Sequence, residues 1–406
     1  MAKEHPIDVE VRKNRALEDN ATSKAVRRTQ RILLITAAIL TLSLGIGIYL
    51  LPVESVSETE NRTLATFPRF SVSSLLSGDF TSDVAAFYSD QFPLRDFFVS
   101  VKAFTESALL KQENNGVLIG KDGYLIDRIE YGNAEYESID VNLRAAERFK
   151  SLASEQSIPL TLALAPRTVD VMTAAYPAFY TGDRAVSARH RIREAYETAI
   201  DLSIPLKSRA DAGESVMFRT DHHWTALGAY YAYLALSEEL GYEPLPLEAF
   251  TIDTVSESFY GTTYSKTGVS WSEPDAFTLY RGADDASYTV TVYDSGHTFT
   301  GFYDESFLEK KDKYSTFLGG NHGHVSVTKE TDEERPVLLL VKDSFALSLV
   351  PFLARHYDLE LIDLRYYAGS AAALLTEKSI DGVLILMGID SLAEGTVLRR
   401  LLFGIS

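Results

Sequence analysis

The sequence contains no cysteine. Disulfide staples, thiolate nucleophiles and cysteine-ligated metals are therefore excluded. The absence does not assign a compartment; it means only that a chain working outside the cytosol must be stable without cross-links. Positive charge is also scarce: 39 Lys and Arg stand against 57 Asp and Glu, a formal net charge of −18. A surface of that sign repels the phosphates of nucleic acid, so nucleic acid is not an expected partner. No H-E-x-x-H pair, internal repeat or low-complexity tract is present. The hydrophobic share, 46% of 406 residues, is ordinary and suffices for one large domain or two ordinary ones.

One apolar run does stand out. Residues 32–51 carry no charge and have about the length a helix needs to cross a bilayer. Arg27, Arg28 and Arg31 precede the run, and Pro52, Glu54, Glu58 and Glu60 follow it. Basic residues favour the cytoplasmic side. The expected arrangement is a single-pass protein of the cytoplasmic membrane: residues 1–31 a disordered cytoplasmic tail, 32–51 the anchor, the rest outside. A cleaved signal peptide competes with this reading. The length of the run and the lack of an A-x-A site after Leu51 favour an uncleaved anchor.

Residues 52–115 read as a helical connecting region. Phe80, Val84, Phe87 and Tyr88 recur at helical spacing, as do Phe97, Val101, Phe104 and Leu109, with a turn at Gln91-Phe92-Pro93 between them. Residues 117–126, with Gly120-Lys121-Asp122-Gly123 inside, read as a hairpin. From 116 on, the pattern is that of an α/β body. Apolar strands are expected at 160–165, 204–207, 337–341, 359–364 and 382–387. Helices are expected at 191–200 and at 225–240, the latter with Thr225 as N-cap and Gly241 as stop. Strand-helix alternation implies a mostly parallel sheet flanked by helices. Residues 243–333 break the pattern, and segments such as Tyr288-Thr289-Val290-Thr291-Val292 suggest an antiparallel, β-rich insertion decorating that body.

Two spots carry chemistry. Lys342-Asp343-Ser344-Phe345 lies where an apolar strand meets the next expected helix, 345–355. In a parallel sheet, ligands bind beyond the carboxyl ends of the strands. Ser344 there is either a nucleophile beside a helix N-terminus that stabilises an oxyanion, or simply an N-cap. Thr220-Asp221-His222-His223-Trp224 precedes the helix at 225–240. In extended backbone, Asp221 and His223 point the same way, so the carboxylate can hold one imidazole nitrogen while the other faces a serine; His222 would point opposite. Catalysis by this trio requires Ser344 within about 6 Å of His223. The rival is a metal site in which Asp221, His222 and His223 act as ligands, joined by His322 and His324. Arg167 and Arg365 each follow a strand. Either could clamp an anionic group; for each an ordinary ion pair is the favoured reading.

Asp221-His222-His223-Trp224 resembles the signature of the bacterial DHHW family, which is similar to the SGNH-hydrolase-like domains of alginate O-acetylation proteins. Glu60-Asn61-Arg62-Thr63-Leu64-Ala65, Asp90-Gln91-Phe92-Pro93-Leu94-Arg95, Gly120-Lys121-Asp122-Gly123-Tyr124-Leu125, Phe317-Leu318-Gly319-Gly320-Asn321-His322 and Lys342-Asp343-Ser344-Phe345 look like further family blocks. The resemblance implies an SGNH-hydrolase-like α/β fold, Asp221 and His223 as acid and base, and Ser344 as nucleophile. It implies an O-acetyltransferase or acetylesterase acting on a cell-surface glycan, with a polytopic membrane acyltransferase as acetyl donor and no cofactor. Asn321 is the best match for an oxyanion residue, and His222 and Trp224 are further candidates near the substrate. Lys342 stands where many relatives have glycine, and a lysine there would crowd the turn or attract an anionic substrate. A non-catalytic glycan-binding factor that retains the fold is the alternative from another class.

Overall fold

The computed structural model describes residues 6–57 and 62–404. The chain divides into two compact units, one reaching Val99 and one from Ser100 onward. In the first unit Pro6–Leu50 is a single 45-residue helix. The expected disorder of the tail is therefore corrected from Pro6 on; Met1 to His5 lie outside the described residues. The physical reason is compositional. Residues 6–31 contain no glycine and many Ala, Arg, Glu and Lys, and the one proline sits at the first helical position. Such a sequence continues a helix whose costly nucleus is already formed in the apolar stretch. Lys24–Ile48 has a mean hydropathy of 2.1 and none of it is buried in protein. It is the one helix among the described residues long and apolar enough to cross a membrane. Helices Asp79–Asp90 and Arg95–Ala108 follow, separated by the expected turn.

The second unit opens with a small antiparallel sheet. In it Val117–Ile119 pairs with Leu125–Asp127 across the Lys121–Gly123 turn, as the glycine-flanked sequence suggests. The body that follows holds strands β1 (Leu160–Ala165), β2 (Ile200–Asp201), β3 (Phe250–Phe259), β4 (Asp275–Gly282), β5 (Tyr288–Val292), β6 (His297–Thr300), β7 (His324–Lys329), β8 (Val337–Lys342), β9 (Asp358–Ile362) and β10 (Gly382–Gly388). Eight of them form one sheet in the order β6-β5-β7-β9-β8-β10-β1-β2. From β9 to β2 every neighbour is parallel, with Leu339 opposite Glu360 and Val383, and Ile385 opposite Leu162. β7, β5 and β6 add antiparallel strands beyond β9, with Val325 opposite Leu361.

The sheet is thus mixed rather than mostly parallel. The 243–333 segment does more than decorate: only β3 and β4 form a separate hairpin, while β5, β6 and β7 extend the main sheet. β8, β10 and β1 are buried almost throughout, as continuous apolar runs with covered faces must be. The four longest helices of this body are α1 (Asn133–Glu155), α2 (Asp183–Ala195), α3 (Ser203–Asp211) and α4 (Ala226–Leu240). α1 buries Ile139, Leu143, Ala146, Phe149 and Ala153, one stripe at helical spacing, into a core continuous with the sheet. α4 is capped as expected: Thr225 Oγ1 accepts from Gly228 N at 3.1 Å, and Gly241 ends the helix in the left-handed region, φ 76°.

The strand expected at 204–207 is corrected. Those residues begin α3, and the strand is Ile200–Asp201. Pro205 has no N–H for a ladder, but its fixed φ suits a first helical turn. Likewise the helix expected at 191–200 lies at Asp183–Ala195. The parallel strands place the chain after β8, β9, β10 and β1 at one carboxyl edge, where Ser344, Arg365, Ile389 and Arg167 leave the sheet.

Candidate active site

Residues 219–223 form a series of bends rather than extended chain. Asp275, buried on β4, holds this segment by accepting from Arg219 N at 3.0 Å, Thr220 N at 2.8 Å and Thr220 Oγ1 at 2.6 Å. The curl lets one oxygen of Asp221 accept both the backbone N–H of His223 (2.9 Å) and its Nδ1–H (2.6 Å). The other oxygen accepts Thr262 N at 2.7 Å and Thr262 Oγ1 at 3.1 Å. Gly261 makes that approach possible. A Cβ there would lie 2.2 Å from the side chain of Asp221, so no other residue fits without moving the carboxylate.

His222 does not point away as extended geometry would require. Its ring lies 3.8 Å from that of His223, and its Nδ1 donates to Thr262 Oγ1 at 2.6 Å. Asp221 thus serves His223 directly and His222 through one hydroxyl. Burial alone would raise the pKa of Asp221. The charges of His222 and His223, the His223 hydrogen bond and the Thr262 N–H outweigh it and hold the carboxyl well below its usual range. His222 is pushed well below its ordinary value by burial first, then by the neighbouring His223 and by the positive charge of Arg167 and Lys266, against the opposing pull of Asp221.

Ser344 follows β8, and His223 Nε2 lies 2.7 Å from its Oγ. The strand end is fixed by buried Asp343, which accepts Phe345 N at 3.0 Å with one oxygen, and Gly388 N and Ser391 Oγ, each at 2.7 Å, with the other. Asp343, not Ser344, is the capping residue here. The expected helix 345–355 is corrected as well. Ser344–Ser348 is a 3₁₀ turn, and only Val350–Leu353 is α-helical. Pro351 lacks the N–H that a continuous helix would donate to Leu347. A four-residue helix has little macrodipole, so charge stabilisation at Ser344 rests on individual N–H groups rather than on a long helix.

Two aromatic residues frame the imidazole. Tyr314 stacks on His223 with centroids 3.9 Å apart and planes 7° apart, and its hydroxyl meets Ser348 Oγ at 3.0 Å. Trp224 is fully buried; its indole N–H reaches Ser348 Oγ (2.8 Å) and Phe345 O (3.1 Å). Trp224 therefore braces the serine turn from below and is out of reach of a dissolved sugar. Thr262, Gly261 and Tyr314 carry no local signal in the sequence. They come from the aromatic, polar stretch after 243 and meet the motif only through the tertiary fold.

The remaining candidates sit around this centre. Arg167 is largely buried and paired with Asp390 at 2.7 Å and Asp127 at 3.2 Å; its Nε is buried without a partner. Arg365 embraces Asp363 with Nε at 2.9 Å and Nη2 at 2.6 Å. Lys342 neither crowds the turn nor meets solvent. It is 1% exposed, donates to Asn321 Oδ1 at 2.9 Å and lies 3.5 Å from Asp363. Burial, eased by Asp363, lowers its pKa to about 8. Asn321 is itself exposed, with its amide oxygen taken by that lysine.

Donor atoms of Asp221, His222 and His223 lie within 4.8 Å of one another, which a metal would tolerate. Both nitrogens of His223 and Nδ1 of His222 are already hydrogen-bonded, and His324 instead pairs with Glu360 at 2.7 Å. A metal would have to break the Asp221–His223–Ser344 chain to take these ligands.

The geometry can be set beside known proteins. A family model for the DHHW protein matches residues 60–151 and 203–362. A model for the SGNH hydrolase-like domain of the acetyltransferase AlgX matches residues 117–277. The probable alginate O-acetylase AlgJ of Pseudomonas syringae pv. tomato is 28% identical over 217 residues, covering 50% of this chain and 54% of that protein. The Pseudomonas aeruginosa protein of the same name is 27% identical over 191 residues, 44% and 47% of the two chains. The chain spans about half the length of the curated relatives it matches. Among solved structures, a DHHW family protein from Eubacterium siraeum aligns with TM-score 0.58 and 23% identity, over 71% of this chain and 95% of that one. Bacillus cereus PatB1 aligns with TM-score 0.58 and 17% identity, over 70% and 99%. These likenesses establish the SGNH-like α/β fold. With its signature at residues 221–224 and most of its length matched, the chain belongs to the DHHW family.

Proposed function

We propose that this protein is an extracytoplasmic O-acetyltransferase, or the corresponding acetylesterase, acting on a cell-surface polysaccharide through an acetyl-Ser344 intermediate. The observation that carries the reading is the unbroken chain from Asp221 to His223 Nδ1 (2.6 Å) and from His223 Nε2 to Ser344 Oγ (2.7 Å). Ser344 Oγ attacks the carbonyl of an acetyl donor as Nε2 takes its proton. Asp221 stabilises the imidazolium. The tetrahedral intermediate collapses, and the leaving group takes the proton back from Nε2. A sugar hydroxyl then gives its proton to Nε2 while attacking the acetyl-serine; collapse releases the acetylated sugar and returns the proton to Ser344 Oγ. Water in place of the sugar gives the esterase. The backbone N–H of Ser344 is the oxyanion donor in this reading, contributing on the order of 3 kcal/mol; that of Phe345 is already given to Asp343.

The names of the curated relatives support acetylation of a polysaccharide, and the basic residues before the apolar helix support a body outside the membrane. A polytopic membrane acyltransferase as donor follows from the same reading. The test uses the full chain in detergent micelles with a small activated acetyl ester. Wild type is expected to turn over and to show an acetyl mass increment on the peptide holding Ser344. Ester turnover that survives in Ser344→Ala would overturn the proposal; a wild type that neither turns over nor takes up an acetyl group would leave a glycan-binding role for the fold.

A further inference from the structure

Asp90-Gln91-Phe92-Pro93-Leu94-Arg95 is a sequence block that the Ser344 site does not use. In the first unit it fastens the chain beside the end of the apolar helix. Gln91 Nε2 donates to Glu54 O at 2.9 Å, and Gln91 Oε1 accepts Glu54 N at 3.1 Å. Asp90 Oδ2 accepts Ala65 N at 2.8 Å, and Leu64 N donates to Ser55 O at 2.9 Å. Pro93 is buried, and a Cβ on Gly47 would lie 3.0 Å from its Cγ, tighter than an ordinary contact. Without a side chain, Gly47 lets the turn seat directly on the helix backbone.

That contact fixes a level. Gly47 stands roughly 5 Å along the axis before the helix ends at Leu50. The uncharged run continues to Leu51. The turn at 91–94 therefore lies against the side of the apolar run and not clear of it. With the run as the membrane anchor, this level is the outer edge of the hydrocarbon layer.

What leaves the turn is apolar and uncovered. Leu94 is 68%, Phe97 60% and Phe98 40% exposed. Phe98 N donates to Leu94 O at 3.1 Å, so the three residues share one face where the helix Arg95–Ala108 begins. Helical spacing puts Arg95 and Asp96 off that stripe, where they pair at 4.0 Å. Leu94 has φ 58°, left-handed backbone that a leucine adopts only under strain. The strain turns one more apolar side chain outward. In water such a face is unfavourable; at the boundary between headgroups and acyl chains it is stabilised. Its level selects lipid over a soluble partner.

We infer that Leu94, Phe97 and Phe98 form an interfacial lipid-binding face, seated in the leaflet in which the apolar helix ends. The inference rests on the reading of residues 32–51 as the membrane anchor. The face gives the first unit a second point of attachment, so that this unit lies on the membrane instead of swinging on one helix. Because the chain has no cysteine, a single introduced thiol takes a label at one place. Leu42→Cys in mid-anchor, Leu94→Cys and Phe97→Cys each receive a fluorescent dye in the full chain, reconstituted in vesicles of phosphatidylcholine and phosphatidylglycerol. The quenchers are lipid nitroxides at a shallow or a deep acyl carbon, and iodide on both sides of the bilayer. Labels at 94 and 97 are expected to sit about 5–10 Å into the boundary, losing fluorescence to the shallow nitroxide and keeping it against iodide. The label at 42 is expected to lose it to the deep nitroxide. Labels at 94 and 97 quenched by iodide, with 42 still quenched by lipid, overturn the face and leave the anchor standing. Labels at 94 and 97 that neither quencher reaches are covered by a second copy of the chain, which overturns the lipid face as well. A label at 42 that the lipid nitroxides do not reach overturns anchor and face together.

Discussion

Two buried carboxylates sit near adjacent strand ends of one sheet, and they are used in opposite ways. Asp221, 1% exposed, accepts from His223 and, through Thr262, orients His222; the far nitrogen of His223 meets a partly open serine hydroxyl. Asp363, wholly buried, is closed on itself by Lys342 and the fork of Arg365. Both are compact ionic clusters at the functional edge of an α/β sheet. What separates a site from a brace is whether one partner carries its second polar atom onward to a group that a substrate can reach. The Asp221 cluster does; the Asp363 cluster spends its hydrogen bonds inside the protein, and only the outer face of Arg365 looks outward.

The comparison breaks most visibly at Ser344. Ser344→Ala and His223→Ala are each expected to lower turnover of an activated acetyl ester by roughly 10⁵-fold, with no further loss in the double variant, because residues acting as one unit are not additive. Additive losses would mean that the two side chains do not share a step. Asp221→Asn keeps the shape of the cluster but removes the charge and the tautomer control. A loss on the order of 10³ to 10⁴ in kcat with KM little changed is expected. A loss confined to KM would place Asp221 in substrate binding instead.

At the other carboxylate the expected effect is on stability and has a defined sign. The pKa of Lys342 is lowered in the folded state from 10.5 to about 8, chiefly by burial. Below pH 8 both states hold the proton, and the folded state carries the full cost of a buried ammonium, on the order of 3 kcal/mol. Between pH 8 and 10.5 the unfolded state binds more protons than the folded one, so this contribution to stability improves as pH rises. Denaturation midpoints of wild type and Lys342→Met, measured from pH 7 to 10, should therefore converge or cross as pH increases. Parallel curves would show that the lysine is not buried as a cation, and the contrast with Asp221 would lose its closed member.

The contrast also explains which parts were legible in the sequence. β8 is a run of apolar residues ending at a serine, so its strand end and the place of Ser344 followed from pattern alone. The Asp221–His223 spacing pointed to a shared hydrogen bond, although through an extended backbone that the chain does not adopt. The bends at 219–223 depend on Asp275, and no local rule links a carboxylate on β4 to that loop. The alternation at 288–292 announced a strand but not its partner; only the fold reveals that β5 and β7 continue the main sheet and bring Tyr314 onto His223. Lys342 misled for a related reason. An isolated lysine reads as a surface charge until Asn321 and Asp363, both distant in sequence, are seen to close around it.

Tyr314 offers the smallest and most discriminating test. Its ring covers one face of His223, and its hydroxyl meets Ser348, which also receives the Trp224 N–H. Tyr314→Phe keeps the stack and loses one neutral hydrogen bond, a stability cost of about 1 kcal/mol with turnover within a few-fold of wild type. If the stacked face alone orients His223, this variant keeps the wild-type pH profile of kcat. A shifted profile would mean that the hydroxyl, acting through Ser348 and the Trp224 brace, sets the position of the serine turn itself. The divide between the open and the closed cluster would then depend on a residue outside both.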